Sequence, residues 1–80
     1  MRRRQRMTEL RFVASRRSGI IINTPETSLA DLLTIIAEKI KTYGDKPLKK
    51  TDLAARRIND NYYVVRHIDT NDVLVEIYIK

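Results

Sequence analysis

The sequence predicts a small α+β domain behind a basic N-terminal arm. Three observations predict it: an amphipathic helical stretch at residues 28–43, β-branched alternation at residues 73–80, and a formal net charge of +6 that lies wholly in the first nineteen residues. There Arg2, Arg3, Arg4, Arg6, Arg11, Arg16 and Arg17 stand against Glu9 alone, and the rest of the chain is balanced. Residues 1–18 are therefore read as a basic arm and residues 19–80 as one globular domain. At 80 residues the chain is near the lower limit at which a hydrophobic core alone supports folding. With no cysteine to form a disulfide or a thiolate metal site, stability must come from packing.

The elements follow in chain order. Two β-prone runs, Leu10 to Ala14 and Ile20 to Asn23, flank Ser15-Arg16-Arg17-Ser18-Gly19. Either they form a hairpin, with Gly19 supplying a positive φ, or the arm continues to residue 18 and a single strand follows. Next, Leu29, Leu32, Leu33, Ile36, Ala37, Ile40 and Tyr43 recur at the spacing of one helical face. Ser28 is placed to cap this helix, Asp31 meets its dipole, and Gly44 offers the left-handed residue that ends it. After Pro47 a second, shorter helix is expected, capped by Thr51 with Asp52 in its first turn. Leu53, Ala54 and Ile58 face inward, and Asn59-Asp60-Asn61 stops it. Residues 73–80 read as a strand. Residues 62–68 have two readings: a strand that pairs with 73–80 through the turn Asp69-Thr70-Asn71-Asp72, or a helix that sends Val64 and Ile68 to the core.

The run from Lys46 to Ile68, with Pro47-Leu48, the capping Thr51, Leu53-Ala54, Val64 and Arg66-His67-Ile68, resembles the helix-turn-helix segment of winged-helix DNA-binding proteins. The resemblance covers residues 28–80 and implies a winged helix-turn-helix domain with a recognition helix at about residues 61–69. The alternative is a ββααββ two-layer domain in which residues 61–68 are a strand. In the winged-helix reading, the recognition helix lies in the major groove of double-stranded DNA and presents Asn61, Tyr62, Tyr63, Arg66 and His67. Arg66 is then the residue for a bidentate contact to guanine, and Asn61 for adenine.

The local charge agrees with a nucleic-acid partner. Lys46, Lys49, Lys50, Arg56, Arg57 and Arg66 against Asp52 and Asp60 make residues 46–68 a second basic stretch of +4. The expected contact set is therefore Lys49, Lys50, Arg56, Arg57 and the outward residues of the third helix. To these the arm adds Arg2, Arg3, Arg4, Arg6, Arg16 and Arg17, which give sequence-blind phosphate affinity. The expected role is a transcriptional or accessory regulator. The other class of reading is a protein-interaction module or inhibitor steered to an acidic partner, or a homodimer paired through an exposed strand at Val73 to Ile79 or Ile20 to Ile22. No nucleophile, base and orienting group stand in a recognisable arrangement, there is no glycine-rich phosphate loop, and His67 is the only histidine. Neither an enzyme nor a metal or other cofactor is expected. No apolar run follows Arg6 as a secretory signal requires, and none approaches the roughly twenty residues that cross a bilayer, so a cytoplasmic protein with no membrane partner is expected.

Overall fold

Extended segments whose successive side chains turn to opposite faces define strands, and such segments dominate the described residues. The computed structural model describes residues 7–13, 19–25 and 28–80. Its strands are β1 (Met7–Phe12), β2 (Ile21–Pro25), β3 (Thr42–Tyr43), β4 (Lys46–Pro47), β5 (Leu53–Asn59), β6 (Tyr62–His67) and β7 (Val73–Ile79). Among the described residues the single α-helix is α1 (Leu29–Ile40), and one 3₁₀ turn occupies Lys50–Asp52. Five strands form an antiparallel sheet in the order β2-β1-β7-β6-β5, while β3 and β4 make a separate short hairpin.

The helix packs on one sheet face. Leu10 and Phe12 of β1, Val65 of β6, Val75 and Ile77 of β7 and Leu53 of β5 meet Leu32 and Ile36 of α1, and each is almost wholly removed from water. The register explains why these residues share a face: Leu10 lies opposite both Ile22 and Ile77, Phe12 opposite Val75, and Val65 opposite Ala55 and Val75. Between Val65 and Arg66 the ladder with β7 slips by one residue, leaving Leu74 as the extra position of a bulge. Leu74 and Val75 are both buried there, so the bulge adds a side chain to the core.

The helix begins as its sequence dictates, with the Asp31 amide donating to Ser28 Oγ at 3.2 Å. It ends earlier than residue 43. Lys41 takes the left-handed conformation at φ 68° and its amide donates to the Ala37 carbonyl, so Thr42 and Tyr43 are free to extend. Gly44, at φ 64°, serves the β3–β4 turn and not the helix terminus.

The winged helix-turn-helix expectation is overturned. The segment expected as its second helix is the edge strand β5, paired with β6 from Leu53↔His67 to Asn59↔Tyr62. The expected recognition helix is β6, bonded on its other side to β7. The extended reading of residues 62–68 is thus the one the fold adopts, but the ββααββ alternative also fails because its second helix is absent from residues 51–58. Helix propensity in Leu-Ala-Ala-Arg-Arg amounts to tenths of a kcal/mol per residue, about 0 to 0.7. It yields to a ladder that pairs the backbone and buries Leu53.

The two turns keep the chemistry assigned to them. The Asn61 amide donates to Asn59 Oδ1 at 2.8 Å, and Asn71 holds φ 64° in the β6–β7 connection. β1 and β2 form the hairpin, with the Phe12 amide donating to the Ile20 carbonyl and the Gly19 amide to the Phe12 carbonyl. No helix among the described residues is long and apolar enough to cross a membrane.

Candidate nucleic-acid interface on the open sheet face

The sheet face turned away from α1 has no layer over it among the described elements. Pairing places Glu9 opposite Tyr78, Arg11 opposite Glu76, Tyr62 opposite Tyr78, Val64 opposite Glu76, Arg56 opposite Val64 and Ala54 opposite Arg66. Those residues form one continuous polar and aromatic surface across β1, β7, β6 and β5. Val64 is nevertheless only 6 % exposed on this face.

A row of stacked groups crosses the middle of this surface. The Tyr62 and Tyr78 rings lie 5.0 Å apart at 25°, and the Arg11 guanidinium sits 5.2 Å from the Tyr78 centroid. The Glu76 carboxylate fixes both rings by accepting from Tyr62 at 2.7 Å and from Tyr78 at 3.1 Å. That hydrogen bond, reinforced by burial, pushes the Tyr62 phenol up to about 12. The two rings cover one face of each other, and the Arg11 guanidinium lies over the Tyr78 ring.

Glu9 organises the end of the row. It is 6 % exposed, accepts from Lys80 Nζ at 2.6 Å and from Arg11 at 2.9 Å, and these two cations hold its carboxyl below the usual carboxylate range. Lys80 and Arg11 are therefore both engaged. Around them Glu9, Arg11, Asn59, Asn61, Tyr62, Tyr78, Ile79 and Lys80 line an open concavity of about 590 Å³.

Arg56 and Arg66 stand differently. They are diagonal neighbours on β5 and β6, share the open face, and line a concavity of about 260 Å³ with Ala54 between them. Among the described residues neither makes a salt bridge. Two cations on one face with no carboxylate bonded to either leave their charge available to an anion that enters the concavity.

The sequence-derived contact residues are dispersed by this fold. Tyr62, Arg56 and Arg66 come together on the open face. Tyr63 and His67 point to the helix side, where Tyr63 packs on the core and the His67 ring stacks on Tyr43 at 4.3 Å. His67 Nδ1 accepts from the Asp69 amide at 3.1 Å, a contact that fixes the ring beside the β6–β7 turn. Arg57 is exposed and bonded to Asp60, while Asn61 sits in the β5–β6 turn at the other end of the sheet. Lys49 and Lys50 lie at the 3₁₀ turn before β5, where the Lys49 amide donates to Asp52. The base contacts assigned to Asn61 and Arg66 on a recognition helix therefore have no helix to carry them. Arg2, Arg3, Arg4, Arg6, Arg16 and Arg17 lie outside the described residues.

Sequence reasoning missed Glu9, Arg11, Glu76, Tyr78 and Lys80 as parts of the surface. The signal for Glu76 and Tyr78 was present in the alternation of β7, which puts them on the face opposite Val75 and Ile77. Glu9 and Arg11 stand in the same relation to Leu10 and Phe12. What brings these residues beside Tyr62 is the strand order, which alternation does not specify. Among the described residues no group of His, Cys, Asp and Glu is placed to hold a metal ion. The chain matches no family model, no curated protein and no solved structure.

Proposed function

We propose that this protein binds DNA through its phosphate backbone, using the Arg56–Arg66 pair on the open sheet face together with the arginine-rich arm. The single observation that carries the reading is the Arg56–Arg66 pair: two guanidinium groups on one face, lining one concavity, with no acid bonded to either among the described residues. Each guanidinium is a planar fork of N–H donors that can engage the non-bridging oxygens of a phosphodiester. The net charge of +6 supplies attraction at longer range. The stacked tyrosines, held by Glu76 and by Arg11 over Tyr78, contribute a rigid floor beside the pair. Binding of this type is strongly salt-dependent and weakly selective for sequence.

The experiment is duplex DNA binding by the full chain across a salt series, for the native protein and an Arg56→Ala, Arg66→Ala double variant. Each lost phosphate contact lowers the slope of log affinity against log salt by about 0.9 for duplex DNA, so the double variant is expected to lose nearly two units of slope. Circular dichroism checks that its sheet remains. No binding at low salt overturns the proposal, as does a double variant that keeps both affinity and slope.

A further inference from the structure

The two edges of the sheet differ in a way that assigns them different roles. β5 carries Arg56 and Arg57 and a register shift at Ile58, features that discourage the approach of another strand. β2, with the sequence Ile21-Ile22-Asn23-Thr24-Pro25, has no charge and keeps an unbroken register with β1. Ile20 and Ile21 beside it are 39 % and 49 % exposed. A long-range β edge left uncharged and regular is a template for strand addition.

The backbone groups that remain free on β2 follow from the ladder. The Lys80 amide donates to the Met7 carbonyl and the Val13 amide to the Leu74 carbonyl, so odd-numbered backbone groups of β1 face the β7 side. Its even-numbered groups face β2, as the Phe12–Ile20 bond shows. With Leu10 opposite Ile22 and Thr8 opposite Thr24, Ile22 and Thr24 are turned to β1. Ile21 and Asn23 consequently direct their N–H and C=O groups outward, and no described strand pairs with them. Pro25 faces outward too, where its missing N–H costs the sheet no bond.

From this edge we infer that two copies of the chain associate by antiparallel pairing of β2 with β2. The strand is its own complement. A twofold axis through Ile22 sets Ile21 against Asn23 of the second copy and Asn23 against its Ile21, making four backbone hydrogen bonds. It also sets Ile22 against Ile22 and Ile20 against Thr24, with no charged side chain opposed to another. Ile20, Ile22 and Phe12 already border a small apolar concavity at this rim with Lys39, and the second copy's isoleucines cover it. The contact unites two five-stranded sheets into one and makes their open faces continuous. A strand of five residues is short, and interfaces smaller than about 1,200 Å² belong to weak, reversible association. The inference does not depend on DNA binding: the dimer lacks charged contacts, so added salt strengthens it by screening the net positive charge, whereas salt weakens a phosphate contact.

Sedimentation of the full chain from micromolar to millimolar protein tests it, beside Asn23→Pro, which removes an outward N–H and no bond to β1 but also fixes φ at that position, and Ile21→Lys, which charges the edge. The native chain is expected to rise from 9.4 kDa toward twice that mass with concentration. Each variant is expected to weaken association by about tenfold or more, the equivalent of about 1.4 kcal/mol. Amide exchange at Ile21 and Asn23 of the native chain should slow as the dimer forms, a readout that stands even where a variant folds poorly. A native chain that stays at a single mass over the whole range overturns the inference. So does a dimer whose formation leaves exchange at Ile21 and Asn23 unchanged.

Discussion

Glu9 shows how one buried acid can organise a surface. Its carboxylate is nearly closed off from water, yet it accepts from both Lys80 and Arg11 and thereby ties the last residue described in the chain to the first sheet strand. Because its pKa is lowered in the folded protein, the folded state holds fewer protons on this group than the unfolded state as pH falls. Its contribution is therefore present above the unfolded carboxylate range and is lost as pH drops through the folded value. In Glu9→Gln this part of the acid dependence disappears, so urea midpoints of native and variant should differ most near neutrality and converge in acid. Midpoints that keep a constant separation into acid would remove Glu9 from that role. Arg11 belongs to the same arrangement and bridges it to Tyr78, so in this fold an arginine counted with the basic arm serves the sheet surface.

Among the elements, the start and buried face of α1 were legible because a period of 3.6 and a polar cap coincide in one stretch, whereas its end at Ile40, before the expected residue 43, was not. Leu32 and Ile36 are buried where the stripe puts them, and Ser28 accepts the Asp31 amide. Two variants separate these contributions. Ile36→Ala, which opens a cavity beneath the sheet, should cost about 2–5 kcal/mol. Ser28→Ala, which leaves the helix amides without one partner, should cost about 0.5–2 kcal/mol. Denaturant unfolding should rank them in that order; an equal cost would mean that helix and sheet are not the principal packing pair. β5 was misread, and β6 left with two readings, for a physical reason. Leu53, Ala54 and Ile58 satisfy a helical face as easily as Leu53 and Ala55 satisfy a strand face, and short apolar runs do not distinguish the two periods. Pairing with β6, decided by distant residues, settles the conformation.

At the scale of the whole molecule, charge and architecture occupy different parts of the chain. The arginines at positions 2, 3, 4 and 6 precede the sheet, while the Arg56–Arg66 pair is built into it. If both act on phosphates, deleting residues 2–6 should lower affinity for DNA and reduce the salt slope, leaving a residual slope that depends on Arg56 and Arg66. Binding by the truncated chain, measured with and without the Arg56→Ala, Arg66→Ala substitutions, checks this. A truncated chain with no residual slope would assign the whole contact to the arm. The strand order also corrects the choice of pairing edge. Val73 to Ile79 is central, bonded to β1 and β6, and has no free edge for another chain, whereas the run at Ile20 to Ile22 borders one.

Local sequence was enough to place α1 and its N-cap, to mark residues 73–79 as a strand, to locate the turns at Asn59, Asn61 and Asn71, and to segregate the charge. Each of these rests on local physics, namely side-chain period, backbone-bonding side chains and formal charge, which neighbours in space do not alter. Long-range pairing was needed to make residues 53–59 and 62–67 strands, to bring Tyr62, Tyr78, Arg11 and Glu76 together, and to leave β2 and β5 at the edges. Those outcomes depend on hydrogen bonds and apolar contacts between segments far apart in the chain, and such partners outweigh local propensities of tenths of a kcal/mol per residue, about 0 to 0.7.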